Sequence, residues 1–89
     1  MIKTTTTISN KLGLHARASA KLTKLAGSFP CEVWIAKGER RVNAKSIMGV
    51  MLLAAGPGSQ VILQVDGEDA EAAAEAVAAL FECRFDEDS

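Results

Sequence analysis

The only histidine of this 89-residue sequence, His15, stands at the start of a helix-forming segment ("GLHARASAKLTKLAG", residues 13–27), two residues before Arg17. A neutral imidazole is a nucleophile, and a guanidinium group has the planar shape that matches phosphate oxygens. The first backbone N–H groups of a helix lack intrahelical partners and favour anions. This combination predicts that the imidazole takes a phosphoryl group whose oxygens are held by Arg17 and the helix end. The alternative is an ordinary exposed histidine or a weak helix cap.

A serine stands before a second helix-forming segment. Ser46 precedes the apolar residues 47–53 and is a good N-cap for a short helix there. Such a helix needs a buried face, so we expect some of its large side chains in the core and one or two exposed. Methionine adapts to differing partners, and exposed apolar groups beside a reactive site indicate a partner surface. The residues concerned are Ile47, Met48, Met51 and Leu52.

Four strands and three helices are predicted to position these groups. β-Branched or alternating runs predict strands over residues 2–8, 31–37, 40–44 and 60–65, with a hairpin turn at "KGER". Apolar residues at helical spacing predict helices over 16–26, over 47–53 and after "DGED", and Gly27 is the predicted stop of the first. For the last helix we predict Asp69 as N-cap and an apolar side of Ala73, Ala76, Val77, Leu80 and Phe81.

The order β-α-β-β-α-β-α predicts the fold class. With one apolar stripe on each helix, it indicates a two-layer α/β (α+β) sandwich, an antiparallel sheet with helices on one face. The chain is long enough for one small domain, residues 1–89, with one core. That core must be mostly aliphatic, because the sequence has only one tryptophan and three phenylalanines.

Charge and cysteine usage narrow the function classes. Residues 1–59 carry nine Lys/Arg and two Asp/Glu, a net +7, whereas residues 60–89 carry one and nine, a net −8. This asymmetry either steers an acidic partner to one face or is a solvated surface with an acidic tail. Cys31 and Cys83 lack the spacing of a zinc site, so we expect two thiols and no metal.

The sequence also lacks the signals of other locations and activities. No run of roughly 18 apolar residues predicts a membrane span, and "MIKTTTTISN" lacks the apolar region of a signal peptide. We therefore expect a cytoplasmic protein with no membrane insertion. There is no metal site, no GxxxxGK[ST] nucleotide loop and no base near a substrate pocket, so we do not expect an independent enzyme.

Two motifs carry a family resemblance: "GLHARAS", followed by "VNAKSIMGVMLLAAGPGS". Together they resemble the HPr family, the histidine-containing phosphocarriers of the phosphoenolpyruvate-dependent phosphotransferase system, over nearly the whole chain. The resemblance implies an open-faced β-sandwich, a four-stranded antiparallel sheet covered on one face by three helices. It also implies that His15 accepts a phosphoryl group from phosphorylated enzyme I and passes it to an EIIA-type acceptor domain, that Arg17 stabilises the phosphohistidine, and that no cofactor is needed.

The resemblance implies further roles around the second motif. In some family members the serine matching Ser46 is phosphorylated by a dedicated ATP-dependent enzyme, HPr kinase/phosphorylase, and the added charge would weaken transfer through His15. The alternative is that Ser46 is only a helix cap. A monomer suits a carrier that shows one face to successive partners. Its docking residues would be Ala20, Lys24, Lys45, Ile47, Met48 and Met51.

One departure from the family pattern and three rival functions stay open. The family often has proline where this chain has Ala18, and since alanine is a good helix former we expect at most a slightly looser helix start.

A nucleic-acid-binding sheet would stack bases on exposed aromatics, for which only Trp34 is available. A purely regulatory module of this fold would not need His15 and Arg17. A carrier of the nitrogen-related branch is not distinguished from one that serves sugar transport.

Overall fold

The alternating and the helix-patterned segments fold into the elements that the sequence predicts. The computed structural model describes residues 1–86. The elements follow in order: β1 (Ile2–Thr7), α1 (Ala16–Gly27), β2 (Glu32–Lys37), β3 (Arg40–Asn43), α2 (Ile47–Leu52), β4 (Gln60–Asp66), α3 (Ala70–Glu82) and a final 3-10 turn (Arg84–Asp86). The predicted order β-α-β-β-α-β-α is confirmed, and the added 3-10 turn was not predicted.

The four strands form one antiparallel sheet in the spatial order β1-β4-β2-β3. Val61, Leu63 and Val65 alternate along β4 and are all buried, because successive side chains of a strand point to opposite faces. Val33 and Ile35 of β2 lie opposite Val65 and Leu63 and are buried on the same face. The helices cover this face and leave the other open, which confirms the predicted open-faced sandwich.

The core lies between the sheet and the helices and is mainly aliphatic. Leu22 of α1, Val50 of α2 and Val77 of α3 join it as fully buried side chains. Phe81 and Phe85 meet edge to face, with ring centroids 4.9 Å apart. Phe85 is fully buried in the 3-10 turn after α3, where residues 84 and 85 both have positive φ angles. Glu87, Asp88 and Ser89 lie outside the described part of the chain.

The predictions for the helix ends need correction. Asp69 stands at the N-cap position of α3, but its side chain makes no capping hydrogen bond, because its backbone is left-handed (φ 61°) rather than extended. The buried side of α3 includes Ala74, which was not predicted, whereas Ala76 is only half-buried. α1 continues through Gly27 and ends at Ser28, whose N–H and Oγ both donate to the carbonyl oxygen of Leu25.

The prediction that some of the side chains of Ile47, Met48, Met51 and Leu52 lie in the core is wrong. α2 has six residues, so only the inward positions of Val50 and, just beyond the helix, Leu53 are buried. The remaining large side chains face solvent and form what we call the α2 patch: Ile47 (40% exposed), Met48 (64%), Met51 (42%) and Leu52 (64%).

Residues 1–86 contain two free thiols and neither a membrane-spanning helix nor a metal-binding cluster. Cys31 is buried and Cys83 is exposed, and both carry thiols rather than a disulfide, as predicted. None of the helices within residues 1–86 has the length and apolar character needed to cross a membrane. Over the same residues, no group of three His, Cys, Asp or Glu side chains is placed to hold a metal ion.

Candidate functional site

The loop before His15 is held by its own side chains and by a neighbouring loop. The Nδ2 amide of Asn10 donates to the carbonyl oxygen of Gly13 at 2.8 Å, and Asn10 is fully buried. Leu14 N donates to the carbonyl oxygen of Ala55 at 2.9 Å. Gly13 has a φ of +68°, and a Cβ there would lie 2.7 Å from the same Ala55 oxygen. Only glycine therefore allows this loop to lie so close to the segment after α2.

His15 is the N-cap of α1. Its backbone is extended (φ −80°, ψ −177°), and its carbonyl oxygen accepts the first intrahelical bond, from Ser19 N at 2.8 Å. Its Nδ1 accepts a hydrogen bond from the backbone N–H of Arg17 at 3.3 Å. An acceptor nitrogen carries a lone pair and no proton. The lone pair of Nδ1 therefore faces the N-terminus of α1, where anions are favoured.

The side chain of Arg17 extends into solvent from the first turn of α1. Within residues 1–86, its guanidinium makes no hydrogen bond and no ion pair, so its donors are available to an incoming anion. The first turn of α1 contains no acidic residue. The imidazole thus lies at the N-terminus of α1, and Arg17 follows two residues later with an exposed side chain.

Ser46 caps α2 as predicted. Its backbone is extended (φ −110°, ψ 113°), and its Oγ accepts a hydrogen bond from Gly49 N at 3.2 Å. The residue is exposed. Its hydroxyl therefore lies on the surface at the start of the α2 patch.

The predicted docking residues lie on α1, on α2 and, for Lys45, just before α2, and the two helices pack against each other. Ala20 and Lys24 are exposed on α1. Lys45 is half-buried, because its Nζ donates to the carbonyl oxygen of Phe29 at 2.8 Å and so ties the start of α2 to the end of α1. The α2 patch completes this surface and supplies its apolar part.

Several residues that build the site had no signal in the sequence. Asn10 is an ordinary loop residue by sequence, and its buried amide is seen only in the structure. Ser19 lies mid-helix, yet its Oγ donates to the carbonyl oxygen of Leu14 at 3.2 Å and holds the residue before His15. Lys37 and Arg40 belong to the hairpin, but both reach carbonyl oxygens at the end of α2. Of the residues that build the site, only Gly13, which precedes Leu14 and His15, was indicated by the sequence as a turn residue.

The fold and the site define a small domain that presents one histidine at a helix N-terminus. A family model, PTS-HPr ("PTS HPr component phosphorylation site"), matches residues 2–83. The phosphocarrier protein HPr of Cupriavidus necator is 59% identical over 98% of both chains. The phosphocarrier protein NPr of Shewanella violacea is 47% identical over 93% of this chain and 91% of the relative. The crystal structure of HPr-C-His from Thermoanaerobacter tengcongensis superposes with a TM-score of 0.96 at 42% identity, covering 100% of both chains.

These matches identify the class and then the family. The chain is a phosphocarrier, a protein that carries a phosphoryl group and is not itself an enzyme. It belongs to the HPr family of the phosphotransferase system.

Proposed function

We propose that the Nδ1 atom of His15 accepts a phosphoryl group from phosphorylated enzyme I and passes it to an EIIA-type acceptor domain. The observation that carries the proposal is the position of Nδ1 at the N-terminus of α1, 3.3 Å from the backbone N–H of Arg17. This arrangement directs the lone pair of the nucleophile into a region that favours negative charge.

The transfer forms one bond and breaks one. The Nδ1 lone pair attacks phosphorus, and an N–P bond forms while the bond from phosphorus to enzyme I breaks. The electron pair of the broken bond stays on enzyme I. The backbone N–H of Arg17 is released from Nδ1 and, together with the guanidinium, then donates to the phosphoryl oxygens. The negative charge of these oxygens is therefore stabilised by hydrogen-bond donors during the transfer. Transfer to the acceptor repeats these steps with Nδ1 as the leaving group.

The partners would dock on the surface around His15. The α2 patch supplies exposed apolar area, and Ala20, Lys24 and Lys45 flank it on α1 and at the start of α2. Adaptable methionine side chains suit a carrier with two unlike partners. Basic side chains would attract acidic partner faces and raise the rate of brief encounters. We propose that the carrier works as a monomer, since this leaves the surface open to each partner in turn.

The central test is intact mass before and after treatment with enzyme I and phosphoenolpyruvate. The expected result is a gain of one phosphate that is lost in acid, survives alkali and is absent from the His15→Ala variant. A preparation of enzyme I that charges a control HPr but not this chain would overturn the assignment. A phosphate that persists in His15→Ala would move the site away from His15.

We further propose that phosphorylation of Ser46 weakens the transfer. Its hydroxyl is exposed at the start of the α2 patch, so a phosphate would place about two negative charges where partners dock. Ser46→Asp and Ser46→Asn both keep a helix-capping side chain and differ only in charge. We expect a higher KM for phosphorylated enzyme I in Ser46→Asp, with the difference shrinking as salt is raised. Equal KM values in the two variants would contradict the proposal.

A carrier of the nitrogen-related branch is the second candidate. It is favoured by the 47% identical relative from Shewanella violacea that bears the name NPr. Transfer from the phosphorylated chain to EIIA domains of the two branches, measured side by side, separates the candidates. Faster transfer to a sugar-specific domain supports the first, and faster transfer to a nitrogen-related domain supports the second.

A further inference from the structure

The α2 patch lies on a helix that is too short to be stable by itself. α2 has six residues, and isolated helices of fewer than about 12 residues are marginal in water. Its inward side chains Val50 and Leu53 anchor one side, and the Oγ of Ser46 caps its start. The N–H groups of the two residues after α2 satisfy the carbonyl oxygens of residues 49–51, so that of Leu52 still needs a partner from elsewhere in the chain.

Two cations of the β2–β3 hairpin donate to carbonyl oxygens at the end of α2 and just beyond it. The Nη1 of Arg40 donates to the carbonyl oxygen of Leu52 at 2.7 Å, and the Nζ of Lys37 donates to that of Ala54 at 3.3 Å. Lys37 and Arg40 lie opposite each other in the sheet register, so both side chains leave the same face. That face is the one that α2 packs on. A cation at a helix C-terminus also interacts favourably with the helix dipole.

The segment that receives these bonds also contacts the loop of His15. The carbonyl oxygen of Ala55, one residue after the oxygen held by Lys37, accepts the N–H of Leu14 at 2.9 Å. Gly13 packs against the same oxygen and against Gly56. A chain of direct contacts therefore runs from the hairpin through the end of α2 to the residue before His15.

We propose that Arg40, assisted by Lys37, is a positioning residue for phosphoryl transfer. It fixes the end of α2, and through residues 54–56 it holds the α2 patch in register with His15. Neither residue touches the phosphoryl group. The inference rests on the proposed function for its kinetic part, and on the contacts above for its structural part.

The experiment compares Arg40→Met with Arg41→Met. Arg41 is the adjacent residue and is equally exposed, but it faces the open side of the sheet, where its guanidinium stacks on Trp34 (4.5 Å) and donates to Gln64 Oε1. Both variants lose one positive charge and one polar contact. Two quantities are measured on the full chain: amide hydrogen exchange over residues 46–55, and the kinetics of transfer from phosphorylated enzyme I.

For Arg40→Met we expect faster exchange over residues 46–55 and a KM about fivefold higher, the size of effect that one typical hydrogen bond supports, with kcat within about twofold of the wild-type value. Arg41→Met should leave both near the wild-type values. A higher KM without faster exchange would mean that Arg40 meets the partner directly, and would overturn the proposal. Equal behaviour of the two variants would overturn it as well. A wild-type chain that takes no phosphoryl group would overturn the proposed function instead, while the exchange comparison would still decide whether Arg40 holds α2.

Discussion

The backbone N–H of Arg17 donates to Nδ1 of His15 at 3.3 Å, so Arg17 orients the imidazole through its main chain. The guanidinium of the same residue extends separately into solvent, with no partner among residues 1–86. The main chain of Arg17 therefore orients the ring, whereas its guanidinium is the part that we propose binds the phosphoryl oxygens. Substitution of the Arg17 side chain should disturb the second and leave the first in place.

Replacement of His15 should separate helix capping from phosphoryl transfer. His15→Asn keeps an oxygen that can cap α1, whereas His15→Ala loses the cap and should cost about 0.5–2 kcal/mol in the free energy of unfolding. Neither variant has a nucleophile at this position, so neither should gain a phosphate in the intact-mass test. Chemical denaturation monitored by circular dichroism measures the stability difference. Equal stability of the two variants would show that the bond from Arg17 N contributes nothing to α1.

Replacement of the guanidinium should slow transfer at nearly constant stability. Arg17→Lys keeps the charge but loses the planar pair of donors, and Arg17→Ala loses both, so we expect about tenfold and about hundredfold lower transfer rates. The free energy of unfolding should change by less than about 0.5 kcal/mol, since the side chain is exposed. Rapid-quench measurement of single-turnover transfer checks the rates. Lys3→Ala removes an exposed cation on β1, outside the docking residues; it is the control and should retain the wild-type transfer rate.

The close approach at Gly13 can be measured against a second glycine. Gly13 and Gly38 both have left-handed backbones (φ +68° and +61°), but a Cβ at Gly13 would meet the Ala55 oxygen at 2.7 Å and one at Gly38 meets nothing within 4 Å. Gly38→Ala should therefore cost only the conformational strain, about 1 kcal/mol. Gly13→Ala should cost at least about 2 kcal/mol more, because the loop must move away from residues 55–56. Equal losses in urea denaturation would contradict the close contact.

A glycine after α2 should stabilise the protein. Ala54 has a φ of +54°, a conformation that costs an L-residue about 1–2 kcal/mol and glycine little. Part of the gain is offset by the greater freedom of glycine in the unfolded chain, so Ala54→Gly should raise the free energy of unfolding by about 0.5–1 kcal/mol. Ala20→Gly, on the exposed side of α1, should lower it by about 1 kcal/mol. Denaturation curves with opposite shifts would confirm both, and a destabilised Ala54→Gly would contradict the strain.

Much of the fold followed from local patterns. The alternation of Val61, Leu63 and Val65 and the N-cap at Ser46 are properties of neighbouring residues, and both are confirmed. Asp69 makes no capping hydrogen bond although aspartate is a favoured capping residue. Capping also depends on a backbone angle, which the preceding turn imposes. The sequence predicted one or two exposed side chains in the α2 patch but not the exposure of all four, because the side of a short helix that faces the core depends on which neighbours it meets.

By itself, the sequence determined the chemistry of the protein: a lone histidine, a guanidinium two residues later and a helix that begins between them. These groups lie so close along the chain that local backbone geometry brings them together. The tertiary structure alone decided what holds them. The contact of Gly13 with Ala55 joins residues 42 positions apart, and the bond from Arg40 to Leu52 joins residues 12 apart. Such contacts form only when the sheet and helices have packed, because nothing in the local sequence favours them over water.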